Sequence, residues 1–248
     1  MRDSSRLRMF DHVTIRVADR RASERFFDTV LTPLGVEDTS STRSFATWEE
    51  LIVTAADGMS LPTTGLRLAF TAPSREQVDA FWQAGVDAGH PGDAPPAERD
   101  GGTYTALLGD PDGNAVEAVH HDPARRREGI IEHLEIHVAD VPAAAAFYSA
   151  IAPAAGLVLR DAQPDRATVG HVRSDRWFAL VPGEPTQDLH IAFPGDDDAV
   201  RRFHRDAIAA GYRSNGEPGE RRRYHPGYYS AYVLDPDGTN VEVVDHHR

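Results

Sequence analysis

The chain repeats itself, and that constrains it more than any other feature. Phe10-Asp11-His12-Val13-Thr14-Ile15-Arg16-Val17-Ala18-Asp19 returns as Ile131-Glu132-His133-Leu134-Glu135-Ile136-His137-Val138-Ala139-Asp140, an offset of 121. Phe26-Phe27 returns as Phe147-Tyr148 and Gly35 as Gly156 at that same spacing. Leu66-Arg67-Leu68-Ala69-Phe70 matches Leu189-His190-Ile191-Ala192-Phe193 at an offset of 123. Asp110-Pro111-Asp112-Gly113 and the later Glu117 match Asp235-Pro236-Asp237-Gly238 and Glu242 at 125. A kept order with a slowly drifting offset means two copies of one architecture. The expected division is 1–121, a polar, Arg-rich link at 122–129, and 130–248.

Each half also repeats a smaller pattern. His12 to Val17 alternates as a strand, and Phe26, Phe27, Val30 and Leu31 recur at helical spacing. Short strands follow near 45–54. A second strand at 66–70 leads to a helix opening at Ser74, whose Gln77 three residues on completes a capping box. The half closes on a hairpin through Asp-Pro-Asp-Gly, in which Pro presets φ at the second turn position and Gly relaxes the exit. The second half predicts helices near 141–154 and 198–210. The fold class is therefore α+β: four strand–helix–strands modules, two per half.

Composition narrows the function. Hydrophobic residues make up 40% and charged residues 26%, which suits packed cores rather than disorder. The net charge of −13 disfavours nucleic acid and anionic membranes as partners. The triplets Arg125–Arg127 and Arg221–Arg223 read as local, solvated loops. There is no cysteine, hence no thiolate ligand or disulfide. With neither a secretory leader nor an apolar run of membrane-spanning length visible, a cytoplasmic location is expected. A small-molecule substrate is the expected partner, and the chain is expected to be a monomer or homodimer.

The chemistry lies on the polar faces of the opening strands. Val13, Ile15 and Val17 oppose His12, Thr14 and Arg16. Leu134, Ile136 and Val138 oppose His133, Glu135 and His137. Leu189, Ile191 and Phe193 oppose His190. On the last strand Glu242 stands out of an apolar run between Val241 and Val243. If two modules curl their sheets together, the polar faces meet in a cleft, and His133, His190 and Glu242 converge. Two imidazoles and one carboxylate suit Fe(II), Mn(II) or a similar divalent ion, with positions left for substrate. Zn(II), Ni(II) and Co(II) are further candidates. Arg67 replaces His190 in the first half and cannot ligate a metal, so one metal site is expected, with Arg67 suited to an anionic substrate group.

These residues and motifs resemble the vicinal oxygen chelate superfamily, which includes glyoxalase I, bleomycin-binding proteins, fosfomycin resistance transferases and extradiol dioxygenases. The resemblance covers nearly the whole chain, twice. It implies paired βαβββ modules forming an open, curved sheet or partial barrel with helices outside, and ligands on the first and last strands. Pairing within one half yields His133, His190 and Glu242, the expected set. Pairing across halves puts His12 in place of His133. The segment from His225 to Glu242 is similar to the extradiol dioxygenase signature, although Ala231 and Arg223 depart from it. By carry-over Tyr232 contacts a substrate oxygen and His225 donates from the second shell, while Tyr229 is a candidate substrate contact. Glu135 and His137 are candidate proton-transfer bases for enolate chemistry.

The expected function is thus a divalent-metal enzyme acting on a small oxygenated substrate, aromatic ones included, held through vicinal oxygens, as a dioxygenase or an isomerase or lyase. The alternatives are a metal-free protein that sequesters a drug or metabolite, and a thiol transferase that modifies an antibiotic.

Overall fold

The computed structural model describes residues 8–99, 101–123 and 129–247. The expected link and the Arg125–Arg127 triplet fall largely outside them. Four modules follow one another. The first runs β1 (His12–Val17), α1 (Arg20–Leu31), β2 (Ser40–Ser41), β3 (Phe45–Trp48) and β4 (Leu51–Ala55). The second runs β5 (Leu66–Thr71), α2 (Arg75–Asp87), β6 (Gly92–Arg99), β7 (Thr103–Gly109) and β8 (Ala115–His121). The third runs β9 (Ile131–Val138), α3 (Val141–Ala155), β10 (Leu157–Gln163), β11 (Arg166–His171) and β12 (Trp177–Pro182). The fourth runs β13 (His190–Pro194), α4 (Asp197–Ala209), β14 (Arg213–Glu220), β15 (Tyr229–Leu234) and β16 (Asn240–Asp245).

Local chemistry sets the element ends. Asp19, Ser74, Asp140 and Asp196 each accept a backbone N–H of the first helical turn, as N-cap side chains do. Gly156 ends α3 at φ +68°, a left-handed cap that an L side chain would strain. In the closing hairpins the N–H of Gly113 donates to Asp110 O at 3.1 Å, and that of Gly238 to Asp235 O at 3.1 Å.

The strands form two eight-stranded mixed sheets. One has the order β14-β15-β16-β13-β1-β4-β3-β2 and the other β10-β11-β12-β9-β5-β8-β7-β6. Both orders are open-ended. The neighbour of β13 is thus β1, while β9 lies beside β5. This is pairing across halves, and it differs from the expected pairing within one half. The compact units instead keep close to the chain halves: residues 1–13 with 136–248 form one, and 14–135 the other. Their divisions fall inside β1 and β9 rather than in the link. The first unit has an aromatic core in which Tyr148 meets Phe147 and Phe178 edge-on at 5.0 and 4.8 Å. In the second, Phe27 packs on Phe26, Trp48 and Phe70.

Candidate metal centre

Strand register brings the donors of the first unit to one face. β13 and β16 pair in parallel with His190 opposite Asn240 and Ala192 opposite Glu242. Side chains two residues apart share a face, so His190 and Glu242 point the same way. His12, at the start of β1, joins them. His190 Nε2 lies 3.0 Å from Glu242 Oε2 and 3.1 Å from His12 Nε2, and His12 Nε2 lies 3.6 Å from Glu242 Oε2.

Each donor is held from behind. His12 Nδ1 donates to Asp11 Oδ1 at 2.8 Å, since a carboxylate can only accept. His246 Nε2 also donates to Asp11, at 2.9 Å, and His225 lies behind His246 at 2.9 Å. His190 Nδ1 donates to the backbone carbonyl of Asn240 at 2.9 Å. Tyr228 donates its hydroxyl to Glu242 Oε1 at 2.9 Å. With each Nδ1 engaged outward, the two Nε2 atoms and Oε2 face one another. Two imidazoles and one carboxylate so placed are a donor set that suits a divalent metal. His12, His190 and Glu242 are one group whose ligand atoms could hold an ion; Asp197, Asp245 and His247, of which His247 is exposed, are another among the described residues.

Electrostatics agree. Glu242 is 1% exposed. Burial alone pushes its carboxyl up, but the hydrogen bond from His190 and the charges of His12 and His190 hold it below the ordinary value. Burial likewise opposes the charged form of His12, but Asp11 and Glu242 raise its pKa. Burial and the Glu242 charge push the Tyr228 hydroxyl well up, so it stays a donor.

The expected ligand His133 is not at this centre. It lies on β9, in the other sheet, where its Nε2 is 3.7 Å from Glu117 Oε2 and its Nδ1 bonds Glu132. His12 takes its place because β1, not β9, borders β13. Glu135 and His137 sit on β9 as well, so neither stands beside His190 and Glu242; the backbone N–H of His137 binds Thr186. Arg67 is on β5, with Glu117. Tyr229 is an odd number of residues from Tyr232 and faces the helical side, its ring 5.2 Å from the Arg201 guanidinium of α4. His225 contacts His246 and Pro226 rather than a ligand.

Tyr232 does reach the centre. It pairs directly with Glu242, its ring lies 6.1 Å from that of His190, and its buried hydroxyl has no hydrogen-bond partner among the described residues. Gly216 makes room, since a Cβ there would lie 2.8 Å from the Tyr232 ring, and the Arg221 guanidinium covers that ring at 5.5 Å. Sequence reasoning missed Asp11, His246, Tyr228 and Asn240 as supports. A signal existed for His246: His121 precedes it by 125, the offset of the hairpins.

The sequence model of the Glyoxalase/Bleomycin resistance protein/Dioxygenase superfamily matches residues 9–118. No curated protein matches the chain. Glyoxalase I from Zea mays is 19% identical over 96% of this chain and 92% of that one, with a TM-score of 0.67. A putative dioxygenase from Bacillus subtilis is 16% identical over 95% of this chain and 84% of that one, with a TM-score of 0.64. A glyoxalase/bleomycin resistance protein from Albidiferax ferrireducens T118 is 36% identical over 46% of this chain and 99% of that one, with a TM-score of 0.41. The first two are likenesses of fold.

Proposed function

The chain belongs to the glyoxalase/bleomycin resistance protein/dioxygenase superfamily, and from that premise we propose that it is an enzyme holding one divalent metal ion on His12, His190 and Glu242. The reading rests on one observation: three inward-facing donor atoms 3.0 to 3.6 Å apart, each backed by an outer partner. Fe(II) or Mn(II) suits this two-imidazole, one-carboxylate set best. When bound, the ion acts as a Lewis acid toward a small substrate with two neighbouring oxygens, or as a redox centre if it is iron. The reaction class is a dioxygenation, or an isomerisation or elimination through an enolate.

The protein's own groups orient and exclude. Asp11 and Asn240 fix the imidazole rings, and Tyr228 occupies Oε1 so that Oε2 faces inward. The Tyr232 hydroxyl keeps its proton, because burial and the Glu242 charge raise its pKa. It is free to donate that proton in a hydrogen bond to a substrate oxygen. His246 holds Asp11, and so acts on His12 at one remove.

Metal analysis tests the reading. One ion per chain is expected in the wild type and in H133A, and none in H12A, H190A or E242A. A wild type without stoichiometric metal, or an E242A that keeps it, ends the proposal. For the loaded protein, dioxygen uptake with a catechol marks a dioxygenase. Solvent deuterium entering an α-hydroxyketone marks the enolate route.

A further inference from the structure

The second unit repeats the three donor positions, with an arginine at one of them. His133 on β9 takes the place of His12, Glu117 on β8 that of Glu242, and Arg67 on β5 that of His190. β5 and β8 pair in parallel with Ala69 opposite Glu117, just as Ala192 stands opposite Glu242. The partners behind the first-strand histidine repeat as well, whereas Ala115 stands at the place of Asn240. His133 Nδ1 bonds Glu132, and His121 Nε2 donates to Glu132 at 2.9 Å, as His12 bonds Asp11 and His246 donates to Asp11.

Arg67 stands beside Glu117 in this copy. Its guanidinium is 3.9 Å from Glu117 Oε2, and His133 Nε2 approaches the same oxygen at 3.7 Å. Arg67 makes no hydrogen bond among the described residues. Glu117 and Glu132 here correspond to Glu242 and Asp11, two carboxylates that a divalent ion would balance. A guanidinium stays protonated and has no lone pair to offer, so it adds positive charge and cannot ligate.

We infer that Arg67 is a tethered cation serving in place of an ion beside a second pair of donors, His133 and Glu117. The chain then carries one exchangeable cation and one covalent one, and the residue at 67 alone decides between one metal site and two. The inference rests on the metal reading of the first unit for its pattern, but its test is separate.

The probe is Mn(II) alone, with bound ion per chain counted by equilibrium dialysis and atomic emission on the full chain. Wild type is expected to bind one ion and R67H two. R67H/H133A, R67H/E117A and R67H/H190A are each expected to bind one. A folded R67H that binds no more than wild type overturns the inference. No ion in wild type but one in R67H keeps it and ends the reading of the first unit instead. If R67H does not fold, H190R is the reciprocal test. It should abolish the first unit's ion, yet melt, metal-free, at least as high as H190A, since the guanidinium restores charge beside Glu242. An H190R that melts lower than H190A overturns the inference.

Discussion

At the scale of single residues, the centre depends on atoms that do not touch the ion position. Asp11 fixes the His12 ring and its tautomer, so D11N is expected to weaken Mn(II) binding by about 10–100-fold while the fold persists. Isothermal titration measures this, and an unchanged affinity would show that Asp11 positions nothing. Tyr228 is the partner of a buried carboxylate oxygen. Y228F strands Glu242 Oε1 and should cost about 1–3 kcal/mol in urea unfolding of the metal-free protein. His190 and Glu242 were legible in the sequence because each is a polar exception in an apolar strand. Asp11 was legible as an acid before a histidine, but nothing local revealed which groups it holds.

At the scale of elements, the two Asp-Pro-Asp-Gly hairpins look alike in sequence and differ in wiring. Asp110 accepts from the backbone of Asp112 and Asn114, and its second oxygen accepts from Asn114 Nδ2 at 3.1 Å. Asp235 has the backbone bonds, but Thr239 replaces the amide and its Oδ2 is buried without a partner. Burial raises both carboxyls to about 6. An acid raised in the native state contributes fully below its unfolded value near 3.8 and loses that contribution as pH climbs through about 6. D235N removes this loss. Relative to wild type it should gain on the order of 1–3 kcal/mol between pH 4 and pH 7, measured by chemical unfolding at both. D110N should gain less, because the new amide faces the Asn114 donor. A D110N gain equal to that of D235N would contradict the wiring.

At the scale of the whole molecule, the proposed metal site makes a prediction about stability. An ion that binds only the folded chain stabilises it by about 2.7 kcal/mol at a hundredfold excess over Kd, or about 5–10 °C in Tm for a chain of this size. Chelation should therefore lower the Tm of wild type by that order and leave H190A unmoved, as differential scanning fluorimetry can record. Equal shifts in both proteins would place the ion elsewhere. No helix among the described residues is long and apolar enough to cross a membrane.

The sequence by itself determined the duplication, the four modules, the Ser74 cap and the closing turns, and singled out two of the three proposed donors. All of these follow from short-range periodicity, from turn chemistry, or from comparing the chain with itself. It could not determine whether His12 or His133 completes the centre. Both lie on opening strands with the same alternation and the same leading acid, so every local signal is shared. Tertiary structure decided it by putting β1 beside β13 and β9 beside β5. The physical reason is that strand pairing is made by backbone hydrogen bonds between distant segments, which side-chain pattern alone leaves degenerate.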